Sequence, residues 1–197
     1  MPIFSDTSLF FIRYGKGPYF VEFEVEIEGA RMYFTVETAP NELMPHSVFI
    51  FMQMVKDRIW DETVFIHNWK HIVQAAPISP DGHSKKDIST YELSFPEYSE
   101  EYNHEKYTLG FAGRPGGPEF YINLLDNDDS HGPGKQGHSS VLNDADPCFA
   151  KIIMGTDTFV RLQQHSDNAL SRKEPNLTTI RSVRRLTPSS AEILFGV

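Results

Sequence analysis

Eight histidines occur in these 197 residues, and histidine is the side chain that can ligate a metal, carry a proton or donate a hydrogen bond near neutral pH. Two pairs stand close together, His67/His71 and His131/His138. A helical zinc motif needs His-Glu-x-x-His, whereas His67-Asn-Trp-Lys-His71 lacks the glutamate and falls on an extended stretch. Asp126-Asn-Asp128-Asp-Ser130-His-Gly132 has the density of a calcium loop. Its glycine comes one place late, however, and its twelfth position is Gly137 instead of Glu, so a solvent-exposed loop is expected over 126–138. Gly113–Gly117 lacks the Gly-Lys-Ser/Thr ending of a phosphate loop, and no G-x-S-x-G elbow is present. The single cysteine, Cys148, forms no intramolecular disulfide and is expected to be a small buried residue between Pro147 and Phe149, not a nucleophile. These readings imply no metal and no cofactor.

What remains points to a binding surface. The stretch Leu109-Gly-Phe-Ala-Gly-Arg-Pro-Gly-Gly-Pro-Glu-Phe-Tyr-Ile-Asn123 reads as an apolar strand end, a loop too rich in glycine and proline for helix or strand, then a strand with two adjacent aromatics. Such a loop has a defined path that lets another backbone approach closely. A formal net charge of −9 argues against duplex nucleic acid as a partner. Apolar residues make up 40% and charged residues 23%, as in a soluble globular chain, and no run reaches the roughly 18 apolar residues of a membrane span. Ser8-Leu-Phe-Phe-Ile12, followed at once by Arg13, is too short for a signal-peptide core, so no targeting segment is expected within 1–197. The compartment stays open. Asn176-Leu-Thr178 fits a glycosylation sequon, a pattern common by chance.

Three blocks, in order, resemble the cyclophilin-type peptidyl-prolyl isomerases. Trp60-Asp-Glu-Thr-Val-Phe65 with Ile72-Val-Gln74 is similar to that family's "Y-D-G-T-x-F-H-R-V-I…F-M-x-Q-G-G". Leu109-Gly-Phe-Ala-Gly113 with Glu119-Phe-Tyr-Ile122 is similar to "L-S-M-A-N-x-G-P…G-S-Q-F-F-I". Phe149-Ala-Lys-Ile-Ile-Met-Gly-Thr-Asp157 is similar to "F-G-K-V-x-x-G-M-D". The resemblance covers roughly residues 20–186. It implies a mainly β fold, a closed eight-stranded antiparallel barrel capped by two helices, with a peptide groove on its outer face. An arm (1–19) and a tail (187–197) flank it.

The implied chemistry needs neither nucleophile nor proton transfer. Crossing between cis and trans X–Pro costs roughly 18–20 kcal/mol because amide resonance must be broken. A catalyst binds the twisted amide better than either planar form, with an apolar seat for the ring and donors for the nitrogen or carbonyl as resonance is lost. The resemblance assigns peptide contact to Gln74, Ala112, Tyr121 as an aromatic wall, Leu142 in the pocket, Ile72 for a methionine and Glu119 for a glutamine. His71 falls near a pocket phenylalanine, Gly113 replaces an asparagine, Asp146 stands where the groove histidine would be, and Val141 takes the place of a variable aromatic. The catalytic arginine is replaced by His67, a donor only partly protonated near pH 7, where a guanidinium is always charged. Proline-containing peptide segments are therefore the implied ligand, with isomerase activity weak or absent. Arg114 is a second candidate donor. The alternative is a catalytically inactive scaffold or interaction subunit, docking other proteins through loops 77–106 and 124–147. A small-molecule or sugar-binding barrel is a third reading.

The elements that must position these residues are legible in part. Val21, Phe23, Val25 and Ile27 alternate with Glu22, Glu24, Glu26 and Glu28, a half-buried strand whose glutamates would discourage edge pairing. Met32, Phe34 and Val36 continue the alternation after Gly29. Val48, Phe49, Phe51, Met52 and Val55 recur at helical spacing behind Pro45. Val64–Ile66, Ile72–Val73, Phe149–Met154 and Leu177–Leu186 read as further strands, and 158–162 as a short helix. The cluster Arg181-Ser-Val-Arg-Arg185 suits the solvent face of the last strand. Ile193–Phe195 could dock elsewhere on the fold.

Overall fold

The computed structural model describes residues 14–85, 87–135, 144–169, 178–187 and 190. Asn176, Leu142, Val141, His138 and Ile193–Phe195 lie outside them. Eight strands are described: β1 Phe20–Ile27, β2 Ala30–Thr38, β3 Thr63–Asn68, β4 Ile72–Ala76, β5 Thr108–Phe111, β6 Phe120–Asn123, β7 Cys148–Met154 and β8 Thr179–Arg185. They close into a barrel in the order β1-β2-β7-β5-β6-β4-β3-β8, each neighbour antiparallel. Three α-helices accompany them: α1 Pro45–Lys56, the one-turn α2 Asp128–His131, and α3 Asp157–Ala169. The last begins where the short helix was expected and runs further.

The period-two pattern does what it dictates. Val21, Phe23, Val25 and Ile27 are fully buried, and Phe23 stacks on Phe34 of β2 and meets Phe120 of β6 edge-on, so the barrel interior is a packed aromatic core. α1 closes one end with Val48, Phe51, Met52 and Val55 turned inward. The described end of the N-terminal arm joins this packing, with Tyr14 buried edge-on against Phe49 and its hydroxyl donating to Gln53 at 2.9 Å.

The outward glutamates of β1 have a different role from the one expected. A closed barrel leaves β1 no free edge, and its carboxylates take arginines from both neighbours: Arg184 on Glu22 at 2.6 Å, Arg31 on Glu24 at 2.7 Å and Arg181 on Glu26 at 3.1 Å. Arg181 also reaches Glu62 at 2.6 Å, and its hydrogen bonds hold the Glu26 carboxyl below the usual range. The basic cluster is thus the counter-charge of the acidic strand.

The long segment 77–106 is packed against the barrel. It contains the isolated bridge Ile78/Ser84 and a 3₁₀ turn at Ile88–Tyr91, and the Leu93 amide donates to the Gly116 carbonyl at 2.9 Å. Its main task is at α1, whose first turn has Pro45 but no local side-chain cap. The buried Glu97 carboxylate reaches across from this segment and accepts the His46 and Ser47 amides at 3.0 and 2.7 Å. A charge here satisfies orphan N–H groups and complements the helix dipole. Glu97→Ala is expected to lower the unfolding free energy by about 1–3 kcal/mol, with Glu97→Gln falling between, read from urea denaturation midpoints at constant m.

Candidate functional site

On β4 and β6 the alternation that turns Val73, Ala75, Phe120 and Ile122 into the core turns Ile72, Gln74, Tyr121 and Asn123 onto the outer face. β3 joins them through a register irregularity between Phe65 and His67, after which His67 lies directly across from Gln74. Gln74 in turn lies across from Tyr121. Gln74 Nε2 donates to Glu119 Oε2 at 2.5 Å, and the Ala112 amide donates to the Glu119 carbonyl at 2.8 Å. His67, Gln74, Ala112 and Glu119 are half-buried, whereas Ile72 is buried. The outer face therefore gathers His67, Ile72, Gln74, Ala112, Glu119 and Tyr121. Leu142 falls outside the described residues.

Tyr121 is not an open wall. It is 1% exposed, with His131 of α2 stacked on its ring at 4.6 Å between centroids. Its hydroxyl donates to Asp146 at 3.3 Å, and burial, then the nearby carboxylate, pushes the phenol well above its usual value. The ring lies over Gly110, its partner on β5, where an added Cβ would stand 2.5 Å from the phenol oxygen. In the family pattern quoted above these two positions carry serine and phenylalanine; here the strand lacks a side chain where its neighbour gains a hydroxyl.

Among the described residues Asp146 has three side-chain partners. Arg114 Nε donates to its Oδ1 at 3.0 Å, while His131 Nδ1 pairs with Oδ2 at 2.7 Å beside the Tyr121 hydroxyl. Arg114 is further held by the Asp144 carbonyl at 2.8 Å and the Asp144 carboxylate at 3.7 Å. The loop arginine is thus committed to two aspartates and does not fill the place opposite Gln74.

A row of planar side chains crosses the same face. His67 stacks on Trp69 at 4.6 Å and Trp69 on His71 at 5.9 Å, with interplanar angles of 14° and 12°. His71 lies 6.2 Å from His131, and the fully buried His104 lies 5.8 Å from His131 and 6.3 Å from Tyr121. Burial, then His131, pushes His104 down to about 4, and the same causes lower His71. Asp128 is 3.9 Å from His104 Nδ1.

Sequence reasoning placed Asp146 at the groove but missed His104 and the role of His131. Their described side-chain partners lie 10 residues away or more, and no local period marks them. Cys148 is free and buried, its thiol donating to the Asn103 carbonyl at 3.2 Å and pushed up to about 12 by burial. Among the described residues no three His, Cys, Asp or Glu side chains are grouped to hold a metal ion, and no helix is long and apolar enough to cross a membrane.

A closed eight-stranded antiparallel barrel with Gln74, Glu119 and Tyr121 on one outer face defines the class of cyclophilin-fold domains. Residues 22–185 match the family model for cyclophilin type peptidyl-prolyl cis-trans isomerase, and the chain belongs to that family. No curated protein matches it in sequence. Among solved structures, a cyclophilin type peptidyl-prolyl cis-trans isomerase of Cryptosporidium parvum is 19% identical with a TM-score of 0.58, covering 86% of this chain and 99% of that one. The same protein in the presence of the dipeptide Ala-Pro is 18% identical with a TM-score of 0.59, over 85% and 99%. The Mimivirus cyclophilin is 16% identical with a TM-score of 0.57, over 89% and 93%.

The tight fit of Tyr121 on Gly110 gives a direct check. Gly110→Ala forces the phenol away from Asp146 and is expected to destabilise the fold by roughly 1–3 kcal/mol. The double variant Gly110→Ala/Tyr121→Phe should recover part of that loss in a thermodynamic cycle, because the nearest clashing atom is gone while the ring carbon at 2.6 Å remains.

Proposed function

We propose that this domain binds proline-containing peptide segments on the outer face of β3, β4 and β6 and isomerises them weakly or not at all. Family membership supports the ligand class. Gln74 and Glu119 would exchange their mutual hydrogen bond for bonds to an extended peptide, and Ile72 and Tyr121, both buried, would form the apolar seat for a proline ring once uncovered. The observation that carries the weak activity is the occupant opposite Gln74: His67, stacked on Trp69, stands where a guanidinium would face the twisted amide. The guanidinium of Arg114 is held by Asp144 and Asp146. An imidazole lacks the fixed charge and forked donors of a preorganised guanidinium, and loss of one such donor lowers a rate on the order of 100- to 1000-fold.

The cover over Tyr121 favours a second reading, a non-catalytic interaction domain. A closed seat lowers apparent affinity by the fraction of time it is open, so binding partners would then engage other surfaces, with segments 77–106 and 124–147 the first to test.

Exchange spectroscopy on a blocked Ala-Pro peptide separates the cases. No broadening of the cis and trans resonances is expected at catalytic protein amounts, whereas shifts of Gln74 and Ala112 are expected at stoichiometric amounts. His67→Arg should then raise the exchange rate on the order of 100- to 1000-fold. Broadening by the unmodified protein at catalytic amounts overturns the weak-activity reading, and absence of any shift at stoichiometric amounts leaves the interaction domain.

A further inference from the structure

Four of the eight histidines stand in the single row of rings that crosses the candidate site. The groups facing that row decide what a proton would do there. From the segment before β7, Asp146 touches His131, and Asp144 stands behind it on Arg114. From α2, Asp128 approaches His104; from the β5–β6 loop comes the Arg114 guanidinium; from β6 comes the neutral phenol of Tyr121. β7 adds the neutral, buried thiol of Cys148. On the open side His71 meets the uncharged indole of Trp69, beyond which lies His67. The His131 ring is paired with Asp146 at 2.7 Å. A proton on His104 or His71 meets burial, the His131 ring about one ring-stack away and a guanidinium already present; at His104 the carboxylates of Asp146 and of Asp128, the latter 3.9 Å from Nδ1, offset this only in part.

We propose that His71, His131 and His104 form a proton-operated cover: with His104 and His71 neutral the row stacks and holds Tyr121 shut, and in acid the row separates, lifting His131 from Tyr121 while the barrel stays folded. The sign follows from the two states. His104 is held at about 4 in the closed row and returns toward 6.5 when it is freed. The open state therefore binds more protons, and opening is favoured progressively as pH falls from 6.5 toward 4. Between pH 7.5 and pH 5.0 His104 alone shifts the open-to-closed ratio about thirtyfold, and His71 shifts it in the same direction. That the uncovered seat receives proline-containing peptide rests on the function proposed above; the motion of the cover does not.

The test labels the protein with 3-fluorotyrosine, assigns the Tyr121 resonance by its loss in Tyr121→Phe, and reads solvent exposure from the H2O-to-D2O shift of the fluorine signal. Tyr121 is expected to be shielded at pH 7.5 and exposed at pH 5.0, with the far-ultraviolet strand signal unchanged. His104→Phe, which keeps a ring but removes its proton site, should hold Tyr121 shielded at pH 5.0. A Tyr121 that stays shielded at pH 5.0 in the folded protein overturns the proposal, and so does exposure that appears only together with loss of the strand signal. The measurement on the unmodified chain stands by itself if His104→Phe fails to fold. Adding the blocked Ala-Pro peptide at pH 5.0 tests the other reading separately: an exposed Tyr121 that the peptide does not perturb keeps the cover and removes the peptide.

Discussion

A carboxylate taken out of water must be matched by charge or hydrogen bonds, and the Asp146 carboxylate, almost fully buried, is matched by three groups at once. That requirement orders the outer face. Arg114 is drawn into the loop and away from the strand surface, His131 is drawn over the Tyr121 ring, and the Tyr121 hydroxyl is turned toward the carboxylate. Each group in turn restricts its own neighbourhood: Tyr121 tolerates no side chain at position 110, and His131 brings His71 and His104 within stacking distance. The barrel core of Phe23, Phe34, Phe51 and Phe120 is a separate cluster, and on β6 it lies on the face opposite Tyr121. Fold and site are separable here in the ordinary sense that a superfold hosts different sites on one scaffold.

That separation sets how much of the molecule could be read in advance. β1 and β2 were legible because one face is core and the other is charged, which imposes period two on the chain. α1 was legible because one stripe is core. Gln74 and Tyr121 could be set on neighbouring strands from ordered sequence blocks, and both stand on the expected face, directly across from each other. The glutamates of β1 were read as edge protection because counter-charges on β8 lie more than 150 residues away in sequence and leave no local mark. The cap of α1 by Glu97 and the clamp on Asp146 escaped for the same reason: polar side chains in irregular segments carry no period, and their partners are chosen by tertiary proximity. α3 outran its expected length because the largely polar sequence after Leu162 carries little apolar pattern.

Two substitutions relative to the family pattern are better understood together than singly. A tyrosine in place of phenylalanine adds an oxygen that must be solvated or bonded once the ring is buried, and a buried hydroxyl without a partner costs on the order of 1–3 kcal/mol. Glycine in place of serine removes the atoms that would occupy the oxygen's path. Aspartate at 146 then supplies the acceptor and requires partners of its own, which the Arg114 guanidinium and the His131 ring provide. Each change makes the next one tolerable, and their sum is a polar, self-satisfied cluster where an open apolar seat would suit a proline ring.

A self-satisfied cluster has a consequence for any ligand of that face. A peptide reaching Tyr121 must replace His131 on the ring, and it must displace the 2.7 Å contact that His131 makes with Asp146. Its net affinity is therefore the intrinsic contact energy reduced by the cost of uncovering, so a chain with intact groove residues can still bind weakly. On the function proposed above, replacement of a cationic donor and closing of the seat would act at different stages, one on the barrier to amide rotation and the other on occupancy of the ground state. Restoring a guanidinium opposite Gln74 addresses only the barrier, whereas moving the row of imidazoles addresses only occupancy, so the two effects should combine independently to the extent that His67 moves apart from His71 across the intervening Trp69.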